Sequence, residues 1–274
     1  MELFMNIIGG VVNWNCYGDT FSVANKTTLQ TSNGSSKWVF SKQGVQSFVN
    51  SGSQSYTGGF TFEVDTNATL NLGTSVIGGS SVKFALDSAG TIMTAQPNGL
   101  NANLTNSGAN TFSPYGGFVF NGTAAQVTGS LLPDSVGSLT INNASGVTLT
   151  KSISVLDTLA LVDGNLLLDT NSVIASAVSG SSPSSYAVTD SAKSSFMIPN
   201  VGTTKVLFPV GTTVEGYSPV WMTNDGTVDT FAVTAMADSS AAAGIGRVNV
   251  TWIVSRAEST SICSELETSS RPRR

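Results

Sequence analysis

The sequence predicts an all-β fold in which a parallel β-helix, or β-solenoid, of about 20 residues per coil is followed by a small antiparallel β-sandwich. Two observations lead to this prediction. Short apolar pairs recur at a nearly constant spacing, and that spacing is lost after residue 180. The composition agrees, because only 11% of the residues are charged and the abundant Gly, Ser, Thr and Asn disfavour helix interiors.

The repeat is clearest where Leu139 and Ile141 recur one period later as Leu159 and Leu161. Alternate residues of a strand face the same side, so two apolar residues around one polar residue are enough to cover a core. We therefore predict a solenoid over residues 20–180, with residues 1–19 as an N-terminal cap or partial segment. The remaining matches relate Phe118 and Phe120 to Leu139 and Ile141, Val127 to Val147, Val147 and Leu149 to Leu166 and Leu168, Ile153 to Val173, Leu70 and Leu72 to Ile92, and Phe62 and Val64 to Val82 and Phe84.

Turn residues repeat along with the strands. Asn121-Gly122, Asn142-Asn143 and Asp163-Gly164 follow one another at a constant spacing, close to the period of the strands. Asn, Asp and Gly tolerate the left-handed backbone conformation that tight corners require. We expect these residues to stack at one corner of the solenoid, where their side chains can form a hydrogen-bonded ladder.

The pattern changes at the Gly/Ser/Pro stretch "SGSSPSS", residues 179–185. Longer strands follow it, separated by polar turns, and this spacing predicts a small antiparallel sandwich over residues 186–255. Trp221 and Trp252 lie in its strand patterns and are predicted to be core residues. The polar residues 256–274 lose the alternation and predict a disordered tail.

Composition excludes several kinds of function. The chain has no histidine, which removes Ser-His-Asp triads, Cys-His pairs and every His-containing zinc site. The net charge is −5 and the only basic cluster is the final "RPRR", so a nucleic-acid partner is not expected. No long apolar run predicts a membrane-spanning helix, and the first residues do not match a signal peptide. The sequence thus predicts no enzyme and no cofactor.

Carboxylate pairs need a separate check, because some parallel β-helices cleave polysaccharides with two carboxylates. Asp65 and Asp87 are about one period apart in the sequence and are expected on adjacent coils. Asp157, Asp163 and Asp169 cluster in sequence, but we expect them at separate corners. Solvated turn residues are the favoured interpretation for all of them.

A bound calcium ion is a second alternative to plain turn chemistry. "DGNLLLDTN" supplies Asp163, Asn165, Asp169 and Asn171 as oxygen ligands, which Ca²⁺ prefers. Their spacing does not match an EF-hand loop, so turn chemistry is the favoured interpretation here too.

Exposed aromatic side chains would allow carbohydrate binding, because aromatic rings stack on sugars. The residues predicted to be exposed are Trp14, Trp38, Tyr56, Tyr115, Tyr186 and Tyr217. Their spacing follows no repeat, so packing at caps and loops is favoured over a sugar-binding face. Cys16 and Cys263 lie near opposite ends of the chain, and the sequence leaves open whether they pair.

Residues 118–168, "FVFNGTAAQVTGSLLPDSVGSLTINNASGVTLTKSISVLDTLALVDGNLLL", resemble the solenoid repeats of large secreted surface proteins of the Bacteroidetes type. Residues 69–79 resemble an earlier repeat of such arrays, and residues 206–233 resemble the β-sandwich module that often follows them. The resemblance implies export, a place at the cell surface or outside the cell, and an adhesive or scaffolding role. It implies no catalytic residues.

We therefore expect a non-catalytic structural or adhesive module, extracellular or at the cell surface, with carbohydrate or another surface protein as its partner. The sequence leaves open whether the chain is a fragment of a larger exported protein. The alternative is a carbohydrate-binding or carbohydrate-cleaving β-helix protein.

Overall fold

The structure is a computed structural model that describes residues 6–7, 11–23, 28–31, 35–50, 55–238 and 249–256. It confirms the predicted fold class. The chain is nearly all β, and its stacked parallel strands form a β-solenoid of about 8 turns with about 22 residues per turn. The one helix among these residues is α1 (Leu100–Asn103), and no helix in the described ranges is long and apolar enough to span a membrane.

The first half of the solenoid is built from short strands. In chain order they are β1 (Asn6–Ile7), β2 (Asn13–Cys16), β3 (Thr20–Val23), β4 (Thr28–Thr31), β5 (Lys37–Phe40), β6 (Gly44–Asn50), β7 (Ser55–Thr57), β8 (Thr61–Val64), β9 (Ala68–Gly73), β10 (Lys83–Leu86), β11 (Thr91–Thr94), β12 (Asn110–Phe112), β13 (Gly117–Phe120) and β14 (Gln126–Val127).

Some of the later strands are longer. The strands of this half are β15 (Ser135–Val136), β16 (Ser138–Asn142), β17 (Val147–Thr148), β18 (Ile153–Asp163), β19 (Leu166–Leu167), β20 (Ser172–Ser179), β21 (Ala187–Val188), β22 (Ser195–Val201), β23 (Val206–Phe208), β24 (Val210–Thr212), β25 (Gly216–Tyr217), β26 (Val220–Met222), β27 (Asp229–Ala237) and β28 (Val250–Arg256).

Each face of the solenoid is one sheet whose neighbouring strands come from successive turns. The largest sheet has 12 strands and runs from β3 at one end to β28 at the other. A second sheet stacks β2, β5, β8, β10 and β12, and a third runs from β14 to β25. Each strand therefore forms its backbone hydrogen bonds mainly with strands of the preceding and following turns of the solenoid.

Most of the predicted pairings are confirmed. Leu139 pairs with Leu159 and Ile141 with Leu161, as the repeat predicts. Ile153 pairs with Val173 in the same way.

Three predicted pairings are wrong. Val127 does not pair with Val147; it pairs with Thr148, and Gln126 takes the position opposite Val147. Phe62 pairs with Phe84 rather than Val82, and Val64 with Leu86 rather than Phe84, because this turn is longer than the predicted period.

The average turn is longer than predicted because the turns are unequal. Trp14 pairs with Trp38 and Trp38 with Phe62, so these early turns contain more residues than the turn that joins Leu139 to Leu159. The turn that contains α1 is longer still, since it pairs Phe84 with Asn110. The predicted period thus holds only for the middle of the chain, where the connections are shortest.

The core changes character along the solenoid axis. Its first half is aromatic: the Trp14 and Trp38 rings lie 5.1 Å apart, and Phe60 and Phe62 meet edge to face at 5.1 Å. The middle is filled by stacked aliphatic side chains such as Leu139, which is completely buried. Both halves belong to one continuous hydrophobic cluster.

Parallel stacking extends beyond the predicted bounds of 20 and 180. Residues 13–16 already stack on β5, and at the other end β22 stacks on β20 and β24 on β21. The predicted antiparallel strands follow: β27 and β28 extend the 12-stranded sheet, and β23 pairs with β26. Strands β27 and β28 therefore continue a solenoid sheet. Arg256, the first residue of the predicted tail 256–274, is the last residue of β28, and residues 257–274 lie outside the described residues.

Candidate functional site

The carboxylates proposed for sugar cleavage lie on adjacent turns, as predicted. Asp65 follows β8 and Asp87 follows β10, and the Asp87 amide donates a 3.0 Å hydrogen bond to the carbonyl of Val64. Each aspartate begins an equivalent tight turn. The Asp65 carbonyl accepts a 3.0 Å hydrogen bond from the amide of Ala68, and the Asp87 carbonyl accepts a 3.1 Å hydrogen bond from the amide of Gly90. We call Asp65, Asp87 and the neighbouring Glu63 the acidic corner.

Charges at the acidic corner influence one another. Burial raises the pKa of the Asp87 carboxyl above its ordinary value, and the charges of Glu63 and Asp65 raise it further, whereas Lys37 lowers it. Lys37 forms a 2.5 Å ion pair with Glu63, and this hydrogen bond raises the pKa of Lys37. A carboxyl group with a raised pKa is suited to general-acid catalysis.

The acidic corner also has a structural explanation. One Asp65 carboxylate oxygen accepts a 2.8 Å hydrogen bond from the amide of Thr66, which holds the tight turn. Glu63 is engaged by Lys37. Two of the three carboxylates therefore already serve the fold.

The four calcium candidates are spread over two corners. Asn165 accepts a 3.2 Å hydrogen bond from the amide of Tyr186 on the following turn. Asn171 donates a 3.0 Å hydrogen bond to the carbonyl of Leu149 on the preceding turn. Asp163 and Asp169 are exposed, and Asp169 has a positive φ of 55°. Within the part of the chain that the structure describes, no group of three or more acidic or Cys side chains is arranged to hold a metal ion.

A set of buried amide side chains lies at the corners, and of its members the sequence predicted only Asn143. We call this set the amide ladder; it consists of Gln46, Asn103, Gln126 and Asn143. Gln46 shows the pattern. Its Nε2 donates to the carbonyls of Cys16 and Gly18 on the preceding turn, at 2.9 and 2.7 Å. Its Oε1 accepts from the amide of Lys42, at 3.1 Å.

Gln126 repeats this arrangement on a later turn. Its Nε2 donates to the carbonyls of Thr94 and Gln96, at 3.1 and 3.0 Å. Its Oε1 accepts from the amide of Gly122 and from Nδ2 of Asn143, both at 2.8 Å. Each ladder residue therefore satisfies backbone groups where the chain turns and the sheets are interrupted.

The prediction of the ladder residues is partly wrong. Asn143 belongs to the ladder, but Asn142 beside it is exposed, and the Oδ1 atom of Asn121 is buried without a hydrogen-bond partner. The apolar repeat misses Gln126 because it aligns Val127 with Val147. The spacing of the turn residues could have identified Gln126, because it aligns Gln126 with Val147, as the structure does.

The prediction of exposed aromatic residues is wrong for three of six. Trp38, Tyr56 and Tyr186 are buried, and burial raises the pKa of Tyr56 to about 12. Tyr115 is exposed as predicted. The two remaining residues, Trp14 and Tyr217, are half-buried.

The prediction that Trp221 and Trp252 are core residues is also wrong. Trp221 is 55% exposed, and the Lys205 ammonium lies 4.8 Å from the centre of its ring. Trp252 is 37% exposed, and its indole N–H donates a 2.9 Å hydrogen bond to the carbonyl of Ser218. The final strands leave these rings at the surface because no further turn follows to cover them within the described residues.

Cys16 is half-buried, and burial raises the pKa of its thiol. Its pairing with Cys263 lies outside the described residues, as does the basic "RPRR" at 271–274.

Comparison with known proteins adds no functional assignment. No family model, curated protein or solved structure matches the chain.

Proposed function

We propose that this chain is a non-catalytic structural and adhesive module that acts at the cell surface or outside the cell. The main support is the way in which polar side chains are used. The side chains of the amide ladder, and those of Asn165 and Asn171, form hydrogen bonds with the backbone of neighbouring turns. Such a framework favours rigidity, which suits a spacer or a scaffold.

The extracellular location rests on the resemblance of residues 118–168 to repeats of secreted surface proteins. Low charge and short polar turns are compatible with that environment but do not select it. Antibodies raised against the chain should label intact cells of the source organism. Labelling that requires permeabilised cells would contradict the proposed location.

Adhesion is tested by displaying residues 1–274 on a non-adherent bacterium and counting the cells retained on host-type and polysaccharide-coated surfaces. We expect retention that is absent from bacteria displaying an unrelated β-solenoid of similar length. Equal retention of both strains would show that the chain contributes no specific adhesion.

Carbohydrate binding is the second candidate, and the exposed Trp221 beside Lys205 favours it. An aromatic face can stack on the apolar face of a sugar ring, and a neighbouring ammonium group can pair with a uronate carboxylate. Polyuronate affinity electrophoresis tests this candidate. We expect retardation that Trp221→Ala abolishes and that Tyr115→Ala, at an exposed aromatic residue elsewhere, leaves unchanged.

An assay for cleavage of acidic polysaccharides distinguishes an enzymatic function at the acidic corner from both non-catalytic candidates. The non-catalytic proposal expects no product from acidic polysaccharides with the purified chain. Turnover that is lost in both Asp65→Asn and Asp87→Asn would replace it with the enzymatic alternative.

A further inference from the structure

Among the described strands, β28 is the last strand of the 12-stranded sheet, and one of its edges is open. It pairs with β27 over its whole length, from Val250 opposite Ala237 to Arg256 opposite Phe231. Among the residues that the structure describes, no strand pairs with its other edge. Half of the backbone N–H and C=O groups of β28 therefore point away from the sheet and are available to another strand.

Each face of β28 carries at least one exposed apolar side chain, although Thr251 and Ser255 flank Ile253 on one of them. Trp252 and Val254 are 37% and 40% exposed, although they lie in register with Ala235 and Val233, which are fully buried. Ile253, on the opposite face, is 41% exposed.

The open edge has little of the usual protection against pairing. Monomeric proteins protect edge strands with charged residues, proline or bulges. β28 contains no proline, and its pairing with β27 shows no register shift. Its one charged residue is Arg256 at the end of the strand, which lies 3.7 Å from Asp229. In an antiparallel pairing centred on the strand, the Arg256 residues of two copies lie at opposite ends and do not face each other.

We propose that a second copy of this chain pairs with β28, edge to edge and antiparallel, about a two-fold axis that passes through Ile253. This register is self-complementary. It sets Thr251 opposite Ser255 of the second copy, and Trp252 opposite Val254. Moving the axis by one residue in either direction sets Ile253 against a hydroxyl side chain instead. The contact is isologous, so it closes as a dimer and does not propagate.

The interface is expected to be weak and reversible. The seven residues of β28 span about 23 Å, and one pair of strands buries less than the roughly 1,200 Å² of total surface typical of stable complexes. We expect a dissociation constant near 10 µM or weaker, on the order of the affinities of small transient interfaces. The dimer requires neither of the functions proposed above, and binding assays with the monomeric variants described below would test those functions separately.

A disulfide tests the position of the axis. With Cys16→Ala and Cys263→Ser as background, Ile253→Cys brings two thiols together, because directly opposed residues have Cα atoms about 5 Å apart, within disulfide range. We expect mild oxidation to produce a covalent dimer in high yield. Val228→Cys, at an exposed position away from β28, is the matched control and should remain largely monomeric. Equal cross-linking of the two variants would overturn the proposal.

Paired charges test the register. Thr251→Lys together with Ser255→Lys sets like charges opposite each other across the axis, so we expect at least a tenfold weaker dimer in sedimentation equilibrium. Thr251→Lys together with Ser255→Glu sets opposite charges there and should restore dimerisation. Circular dichroism spectra identical to that of the unchanged chain establish that both variants fold.

Three further results would overturn the proposal. The first is a monomer at all concentrations up to about 1 mM, well above the expected dissociation constant. The second is equal dimerisation of both charge variants. The third is growth into open-ended filaments, which would indicate a head-to-tail contact in place of the two-fold pairing.

Discussion

The side-chain amide of Asn143 donates a 2.8 Å hydrogen bond to Oε1 of Gln126, and both side chains are buried at the same corner of the solenoid. The contact joins two successive turns without any backbone participation. An apolar side chain at either position alone would remove this hydrogen bond and the backbone hydrogen bonds of the replaced amide, and would leave those buried groups without that partner.

Asn143→Ala is accordingly expected to destabilise the chain by about 3 kcal/mol, since buried polar groups that lose their partners cost about 1–3 kcal/mol each. The substitution releases the Ala124 carbonyl, Gln126 Oε1 and the Ser145 amide. Asn142→Ala, one residue earlier and exposed, is the control and should change the free energy of unfolding by less than about 0.5 kcal/mol. Urea unfolding measures both, and similar values would refute a structural role for the ladder.

Alanine substitutions at two glycines distinguish the cost of steric overlap from the cost of backbone strain. Gly164 and Gly44 have positive φ values of 74° and 89°. A Cβ at Gly164 would overlap the carbonyl oxygen of Asn143, whereas a Cβ at Gly44 would meet no atom within 4 Å. We expect Gly164→Ala to cost about 3 kcal/mol, from strain and overlap together. Gly44→Ala should cost only about 1 kcal/mol, from strain alone.

Thermal unfolding of the two alanine variants provides the comparison. If Gly44→Ala were as damaging as Gly164→Ala, the left-handed conformation itself would be the dominant cost, and the close approach of the turns would contribute little.

The aromatic first half of the core is expected to be intolerant of truncation. Phe62 is fully buried and contacts Phe60, Trp38 and Phe40 through ring packing. Phe62→Ala should destabilise the chain by about 4 kcal/mol, the usual cost of removing a buried aromatic ring. Tyr115→Ala is the exposed control, and a loss above about 1 kcal/mol there would show that exposure does not predict the cost.

The acidic corner should make stability depend on pH. The pKa of Asp87 is raised above 3.8 in the folded chain, so the folded state binds this proton more tightly than the unfolded state does. The ionised carboxylate consequently weakens the fold at neutral pH, and this penalty disappears as the pH falls through the raised pKa towards 3.8. We expect Asp87→Asn to be more stable than the unchanged chain at neutral pH.

The stability difference between these two proteins should then shrink towards zero as the pH approaches 3.8 from above. Urea midpoints measured across that range test the sign. Asp225→Asn, at an exposed aspartate, is the control and should show no such convergence. A variant less stable than the unchanged chain at neutral pH would mean that Asp87 contributes favourable contacts that outweigh its burial.

The sequence was sufficient to predict the solenoid because alternation is a local property. Leu139, Ile141, Leu159 and Leu161 indicate their inward face without reference to the rest of the chain. The buried polar residues were harder to predict. Gln126 occupies an inward position that the pattern assigned to Val127, since a polar residue facing the core is recognisable only through its partners.

The C-terminal strands show the other limit. Trp221 and Trp252 lie in strands with apolar neighbours, which ordinarily indicates a core position. Burial, however, depends on whether a further layer covers the strand, and that information is not local. The candidate sites depended on the same distinction: adjacency of Asp65 and Asp87 follows from the period, but the pairing of Lys37 with Glu63 does not.

The matched register of β11, β13 and β16 makes the length of this molecule adjustable. Phe118 lies directly beneath Leu139, and Gly117 beneath Ser138, so removal of residues 118–138 would excise one complete turn and join two strands that already match. The shortened chain would place Leu139 on Ile92 and keep the sheets continuous. Duplication or loss of such a segment would change the reach of the molecule in steps of about 4.8 Å, so a lineage could tune the distance that it spans without evolving a new core.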